Sequence, residues 1–354
     1  MFLSTNYNGY RHLSCLLRFS ILAMLGVFIS ACQSLPPVTK TVAPIEKQPK
    51  VALVLGGGGA KGFAHIGVIK ALEENGITPT LVVGTSIGSL IGSLYASGYS
   101  AQQLERLALN TSDSELTDFT LSNQGFIEGI KLKNFINAKV GGRDIEDFPI
   151  SFAAVAAEKH TLKKAVFSSG NAGLAVQASC SVPNIFIAPR IPEKIGKKYI
   201  DGGVVSLVPV DTARDLGADI IIAVDVTAAN ANGPASNNIP VINSLSSFWG
   251  FLESNIVANF SNATNVSSVS QASTNRSTAM RRERERADII IIPDIGHISS
   301  LDTSPRRALM TAGMQATTPK IAAIKQLMKD KALKEKALKE KGLVEKLPSK
   351  YATL

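Results

Sequence analysis

The chain has 354 residues, 45% of them hydrophobic, which is enough apolar side chain to bury a sizeable core in one or two domains. The formal charge is +9, but residues 329–350 alone supply eight lysines against four acids. The remainder is only mildly basic, so composition excludes a nucleic-acid binder as the leading reading.

The first element is apolar. Arg11 and Arg18 precede Phe19–Ala31, a run of 13 residues. It is shorter than the roughly 20 residues that span a bilayer as a helix and has the form of a secretory h-region. Ile29-Ser30-Ala31-Cys32 resembles a bacterial lipobox, which implies a signal segment at 1–31, lipidation of Cys32 and a membrane anchored through it. Gln33 is not the aspartate that favours inner-membrane retention, so the same resemblance implies the outer membrane of a Gram-negative cell. The Pro-rich stretch 32–50 reads as a tether. With Cys15 leaving with the signal and Cys32 carrying lipid, Cys180 is the one remaining thiol, and no intramolecular disulfide is expected.

From residue 51 the chain alternates tightly. Val51–Leu55 is a continuous apolar run, as in a strand buried on both faces. A glycine loop follows, then a helix from about Ala60 to Asn75, a strand at Leu81–Val83 and a helix at Ser86–Ser97 stopped by Gly98. That order predicts a parallel sheet with helices on its faces. Further strands are expected at 152–156, 165–168, 198–200, 220–226 and 289–292, and a helix at 171–186 ended by Pro183. Between 227 and 278 lies an Asn/Ser-rich insertion in which Ile242, Leu245, Trp249, Leu252, Ile256 and Phe260 recur at helical spacing. They make either a helix packed on the sheet or an apolar lip at a lipid site. Residues 302–354 read as a helical, Lys-rich tail whose leucines, five apart, form no clean stripe.

Three chemistries compete for the glycines. A phosphate-binding P-loop fails because Gly62, not Ser or Thr, follows Lys61. Gly57-x-Gly59-x-x-Gly62 matches the dinucleotide spacing, but the second strand runs into Gly84-Thr85-Ser86 without the acid that would hold a ribose. The third reading accounts for both loops. Gly84-Thr85-Ser86-Ile87-Gly88 is a G-x-S-x-G turn between strand and helix, which exposes a serine nucleophile. The amides of Gly57, Gly58 and Gly59 would then serve the oxyanion. For the base, Asp201-Gly202-Gly203 offers an aspartate at a strand end, although Asp-Gly-Gly is also an ordinary turn. His65, His160 and His297 sit in no triad pattern, with His297 the one whose order after Ser86 and Asp201 imitates a triad.

These pieces, Gly57-Gly58-Gly59-Ala60-Lys61-Gly62, the Ser86 elbow and Asp201-Gly202-Gly203, occur in the order and spacing that resemble the patatin-like phospholipase family. The resemblance runs from about residue 51 to 301 and is weakest in the insertion. It implies a three-layer α/β fold with a central, mostly parallel sheet and helices on both faces. It also implies a Ser–Asp dyad, Ser86 as nucleophile and Asp201 as proton acceptor, hydrolysing phospholipid or lysophospholipid acyl esters through an acyl-serine without metal or cofactor. A non-catalytic outer-membrane binding or assembly module is the alternative.

Overall fold

The computed structural model describes residues 49–122, 124–228, 275 and 278–340, all within one compact unit. The signal segment, Cys32, nearly all of the tether and the helical spacing at 242–260 lie outside the described residues.

The elements, in chain order, begin with β1 (Val51–Leu55), a 3-10 turn at Gly59–Gly62, α1 (Phe63–Glu74), β2 (Leu81–Thr85), α2 (Ile87–Ala96) and α3 (Ala101–Asn110). A short helix α4 (Asp113–Leu116) leads into the hairpin β3 (Phe119–Ser122) and β4 (Gly125–Ile127), then α5 (Ile130–Lys139). β5 (Ser151–Glu158), β6 (Lys164–Phe167), α6 (Ala172–Ser179), β7 (Arg190–Ile191) and β8 (Lys197–Asp201) follow. The chain continues through α7 (Val210–Asp215), β9 (Ile220–Val224), α8 (residues 278–285), β10 (Ile289–Ile291), α9 (Arg306–Thr317) and α10 (Ile321–Glu340).

The main sheet has the order β10-β9-β1-β2-β5-β8-β7, with β6 also on β5. From β10 to β5 every pairing is parallel, and β6, β8 and β7 add antiparallel pairings at one side. β1 shows why its sequence is apolar throughout. Val51, Leu53 and Leu55 enter the core on one face, while Ala52 and Val54 enter the core on the other. β9 is divided in the same way, so helices cover both faces. The result is the three-layer, mostly parallel α/β architecture.

Two expectations change. α6 stops at Ser179 rather than continuing toward Pro183. The residue before a proline is barred from the helical region, and the Ser181 hydroxyl donates to the freed Gln177 carbonyl at 2.6 Å. The packed domain also extends past residue 301. In α9, Leu309, Met310, Gly313 and Thr317 are buried, and in α10 so are Ile321 and Ile324. A Cβ added at Gly313 would lie 2.0 Å from the Ala64 carbonyl oxygen, and one at Gly67 would lie 1.7 Å from that of Met310. Two facing glycines thus let α9 cross α1 with backbones nearly touching. Among the described residues, the solvated part of the expected tail comes later, in α10, where Leu333 is 55% exposed.

Candidate active site

Ser86 lies at the carboxyl end of β2, where the parallel strands open toward a ligand. Its backbone has φ 54° and ψ −126°, a conformation that costs a non-glycine residue about 1–3 kcal/mol and persists only when its surroundings impose it. They do. A Cβ at Gly84 would meet the Gly88 carbonyl oxygen at 2.4 Å, and one at Gly88 would meet that of Leu55 at 2.1 Å. Strand, turn and helix therefore close on one another with no room for side chains. The Ser86 carbonyl accepts from the amide and hydroxyl of Ser89, at 2.8 and 2.7 Å. The Ser86 amide donates to Ser179 Oγ at 2.9 Å, and Ser179 Oγ donates to the Val155 carbonyl at 2.6 Å. Ser179 is a positioning residue that sequence reasoning missed.

Sheet register brings the acid to the serine. Thr85 is opposite Val155 on β5, and the next β5 residue, Ala156, is opposite Asp201 on β8. The end of the elbow strand and Asp201 thus occupy consecutive positions along one strand. Gly202 permits the close approach, since a Cβ there would lie 2.1 Å from the Val155 carbonyl oxygen. Asp201 is fully buried. Burial raises its carboxyl to about 6, opposed by hydrogen bonding from the Ser86 side chain and from the Gly203 amide. The Gly203 amide reaches Asp201 Oδ1 at 2.7 Å, while Oδ2 has no well-formed hydrogen bond. A buried oxygen without a well-formed hydrogen bond, on a desolvated carboxylate beside a serine hydroxyl, is basic for its type and free to accept a proton.

The glycine loop lies against the serine, with Gly57 so close that an added Cβ would come within 3.4 Å of Ser86 Cβ. One of its amides is already used. Gly57 N–H donates to the Leu207 carbonyl at 3.0 Å, which removes Gly57 from the expected set of oxyanion donors. The amides of Gly58 and Gly59 make no hydrogen bond with any described residue. Gly59 sits at φ 57°, and a side chain there would strike the Ser300 carbonyl oxygen at 2.4 Å. Gly62 is required by Ile87, whose Cγ1 an added Cβ would meet at 2.2 Å. His65 holds the root of the loop. Its Nε2 pairs with the Gly56 carbonyl at 2.8 Å, and burial keeps the imidazole neutral by lowering its pKa to about 4. Lys61 is buried too, and burial lowers its pKa against the pull of Asp225.

Comparison with known proteins agrees with this geometry. Residues 53–214 match the patatin-like phospholipase family. The chain is 38% identical over 208 residues to lysophospholipase NTE1 of Coccidioides immitis, covering 57% of this chain and 13% of that one. It is 34% identical over 199 residues to an uncharacterized NTE family protein of Mycobacterium bovis, covering 54% and 53%. The match thus spans about half of the mycobacterial relative and a small part of the fungal one. Among solved structures, VipD from Legionella pneumophila superimposes with a TM-score of 0.52 at 15% identity, over 78% of this chain and 67% of that one, a likeness of fold. Residues 53–214 are thus similar to the patatin-like phospholipases, on a patatin-like α/β fold.

Within that fold the remaining candidates fall away from the serine. His160 and His297 are exposed, and neither contacts Asp201, whose Oδ1 partner is Gly203. Cys180 is buried near Ser89, and burial followed by the charge of Asp201 drives its thiol far above the usual range, so it stays protonated. A mostly apolar cavity lies over α2, lined by Ile87, Leu90, Ile91 and Leu94 together with Leu104, Leu107 and Phe135. Ile87 is the residue after Ser86, so this cavity begins one position from the elbow.

Proposed function

We propose that the protein is a serine acyl hydrolase that cleaves phospholipid or lysophospholipid esters with a Ser86–Asp201 dyad. The observation that carries this reading is the Ser86 elbow beside a buried Asp201 whose Oδ2 has no well-formed hydrogen bond. Asp201 takes the Ser86 hydroxyl proton as Oγ attacks the ester carbonyl. The developing oxyanion receives the free amides of Gly58 and Gly59 and the N-terminal dipoles of α2. Collapse of the tetrahedral species expels the alcohol, which leaves with the proton held by Asp201, and an acyl-serine remains. Water then repeats the sequence, giving up its proton to Asp201, and the fatty acid departs. The cavity that starts at Ile87 suits the acyl chain.

The test is fluorophosphonate labelling of purified protein, followed by a panel of lysophospholipid and phospholipid substrates. Labelling at Ser86, and its loss with Ser86→Ala together with loss of fatty-acid release, is the expected result. Folded wild-type protein that neither labels nor releases fatty acid would make it a non-catalytic binding module instead.

The leader adds a location. We infer that Cys32 carries lipid and holds the domain at the outer membrane, facing the periplasm, since a lipobox-like sequence and a tether precede the fold. Cys32→Ser should abolish incorporation of labelled palmitate and shift the protein out of the membrane fraction. Unchanged labelling and fractionation would remove the anchor.

A further inference from the structure

Apolar side chains that a water-soluble surface would hide are gathered around the opening of the site. Phe119 is 80% exposed, Leu121 fully so, and Phe126 62% exposed on the β3–β4 hairpin. Ile195 is 87% exposed at the β7–β8 turn, and Leu301 is 71% exposed. Exposed large hydrophobics scattered singly need no explanation, but these are joined by contacts. Ser300, beside Leu301, accepts from the Ala60 amide at the oxyanion loop, at 2.8 Å. Thr303 and Arg306 both bind Asp113 of α4, which leads directly into Phe119. On the other flank, the amides of Phe126 and Ile127 both donate to the Ile185 carbonyl, at 2.8 and 2.9 Å. That segment continues from Ser181, whose carbonyl receives the Asp201 amide. Lys198 binds Gln124, and Lys133 pairs with Glu193, which fastens the β7–β8 turn to the β3–β4 hairpin and α5.

On the hairpin and the β7–β8 turn several lysines stand without an acidic partner, while on the flank of Leu301 Asp302 is held by the amide and hydroxyl of Ser304 and Asp113 by Arg306. Lys194 at the turn has no ion-pair partner among the described residues, and Lys131 and Lys198 bond only to neutral groups. Lys197 is paired with Glu158, and Glu193 with Lys133. Asp118 is consumed in capping the first amides of α5. We propose that this rim is a docking surface for an anionic phospholipid bilayer. The apolar tips enter the acyl boundary, the free lysines meet head-group phosphates, and the Ser86 opening is pressed against the membrane. The proposal rests on the lipid-ester reading for its purpose but not for its evidence. A soluble protein partner would also cover apolar side chains, but it offers no reason for unpaired lysines flanking them around a lipid-cleaving site.

The test uses the full chain with Cys15→Ser and Cys32→Ser, so that no acyl anchor contributes and the buried Cys180 stays unlabelled. Leu121→Cys carrying an environment-sensitive NBD dye should shift to the blue on phosphatidylglycerol vesicles and be quenched by lipids spin-labelled in their chains. The same dye at Lys325→Cys, on the exposed side of α10, should show neither change. Phosphatidylcholine vesicles should give a weaker response. Replacing Phe119, Leu121 and Ile195 together by serine should lower hydrolysis of vesicle lipid by about tenfold or more. Hydrolysis of a short, water-soluble ester should be unchanged. A dye at Leu121 that ignores vesicles, or that shifts with protein concentration in their absence, would overturn the proposal, the latter outcome showing self-association. If no ester is hydrolysed while the dye still inserts, the activity reading fails and the docking surface stands.

Discussion

Burial lifts the Asp201 carboxyl from 3.8 to about 6, and both catalysis and folding feel the shift. In the proposed dyad only the ionised carboxylate can accept the serine proton, so turnover should rise with pH around an apparent pKa near 6. Asp201→Asn should lower it by roughly 10²–10⁴-fold, the usual worth of a positioned base. Stability runs the other way. The folded acid holds its proton between about 4 and about 6, where the unfolded acid has lost it. Its contribution is therefore full below pH 4 and lost as pH rises through 6, a difference of about 3 kcal/mol. Asp201→Asn should thus gain stability relative to wild type across that window and level off above it, in denaturant melts at pH 4, 5, 6 and 7.5. A constant difference would show that Asp201 titrates normally. At the loop, Gly58→Ala places a Cβ 2.5 Å from Val226 Cγ2. The shift of the amide should cost turnover while the protein stays folded, with loss of one such donor worth about 3–4 kcal/mol of barrier. A folded, fully active variant would take Gly58 out of the mechanism. Ser86 and Asp201 were legible because turn geometry restricts the residues around them, Gly84, Gly88 and Gly202. Ser179 was not, because a serine at a helix end has many uses. Nor was the loss of the Gly57 amide, which depends on where Leu207, far along the chain, presents its carbonyl.

At the scale of elements, buried strands and the helices between them were readable from apolar runs and glycine stops, to within a residue or two at β1, β2 and β9. The short hairpin β3–β4 escaped notice, because β3 is exposed or half-exposed throughout and β4 has only three residues, too few to show its buried alternation. α9 was expected only as part of a helical, Lys-rich tail. Its Gly313 carries a helix penalty, and the compensation lies in α1, in the first third of the chain. Gly313→Val forces the α1 and α9 backbones apart and should lower stability by about 3 kcal/mol, the upper end of overpacking costs. Gly76→Ala offers the contrast. Nothing lies within 4 Å of its added Cβ, and only its φ of 71° resists, so the loss should be smaller, of order 1 kcal/mol. Equal losses would mean that the helix crossing has room to spare.

Over the whole molecule, the site draws on segments far apart in sequence. β1 is flanked by β2 on one side and by β9 on the other, Asp201 arrives through β8, and the loop beside Gly59 is braced by Ser300. The crossing of α9 over α1 has a consequence for the order in which the protein is made. When β1, the glycine loop, α1 and the elbow have left the ribosome, the partners that fix them are still untranslated. Contacts of such sequence separation carry a large loop-closure cost and form late. Ribosome-stalled chains ending at Asp215 should accordingly be protease-sensitive and unreactive toward fluorophosphonate, and chains extended past Thr317 should be neither. An enzyme of the kind proposed above, with this wiring, should stay inert until α9 is in place. For the exported lipoprotein proposed above, the same delay keeps the polypeptide slack enough to thread a translocation channel before it can attack the membrane it is crossing.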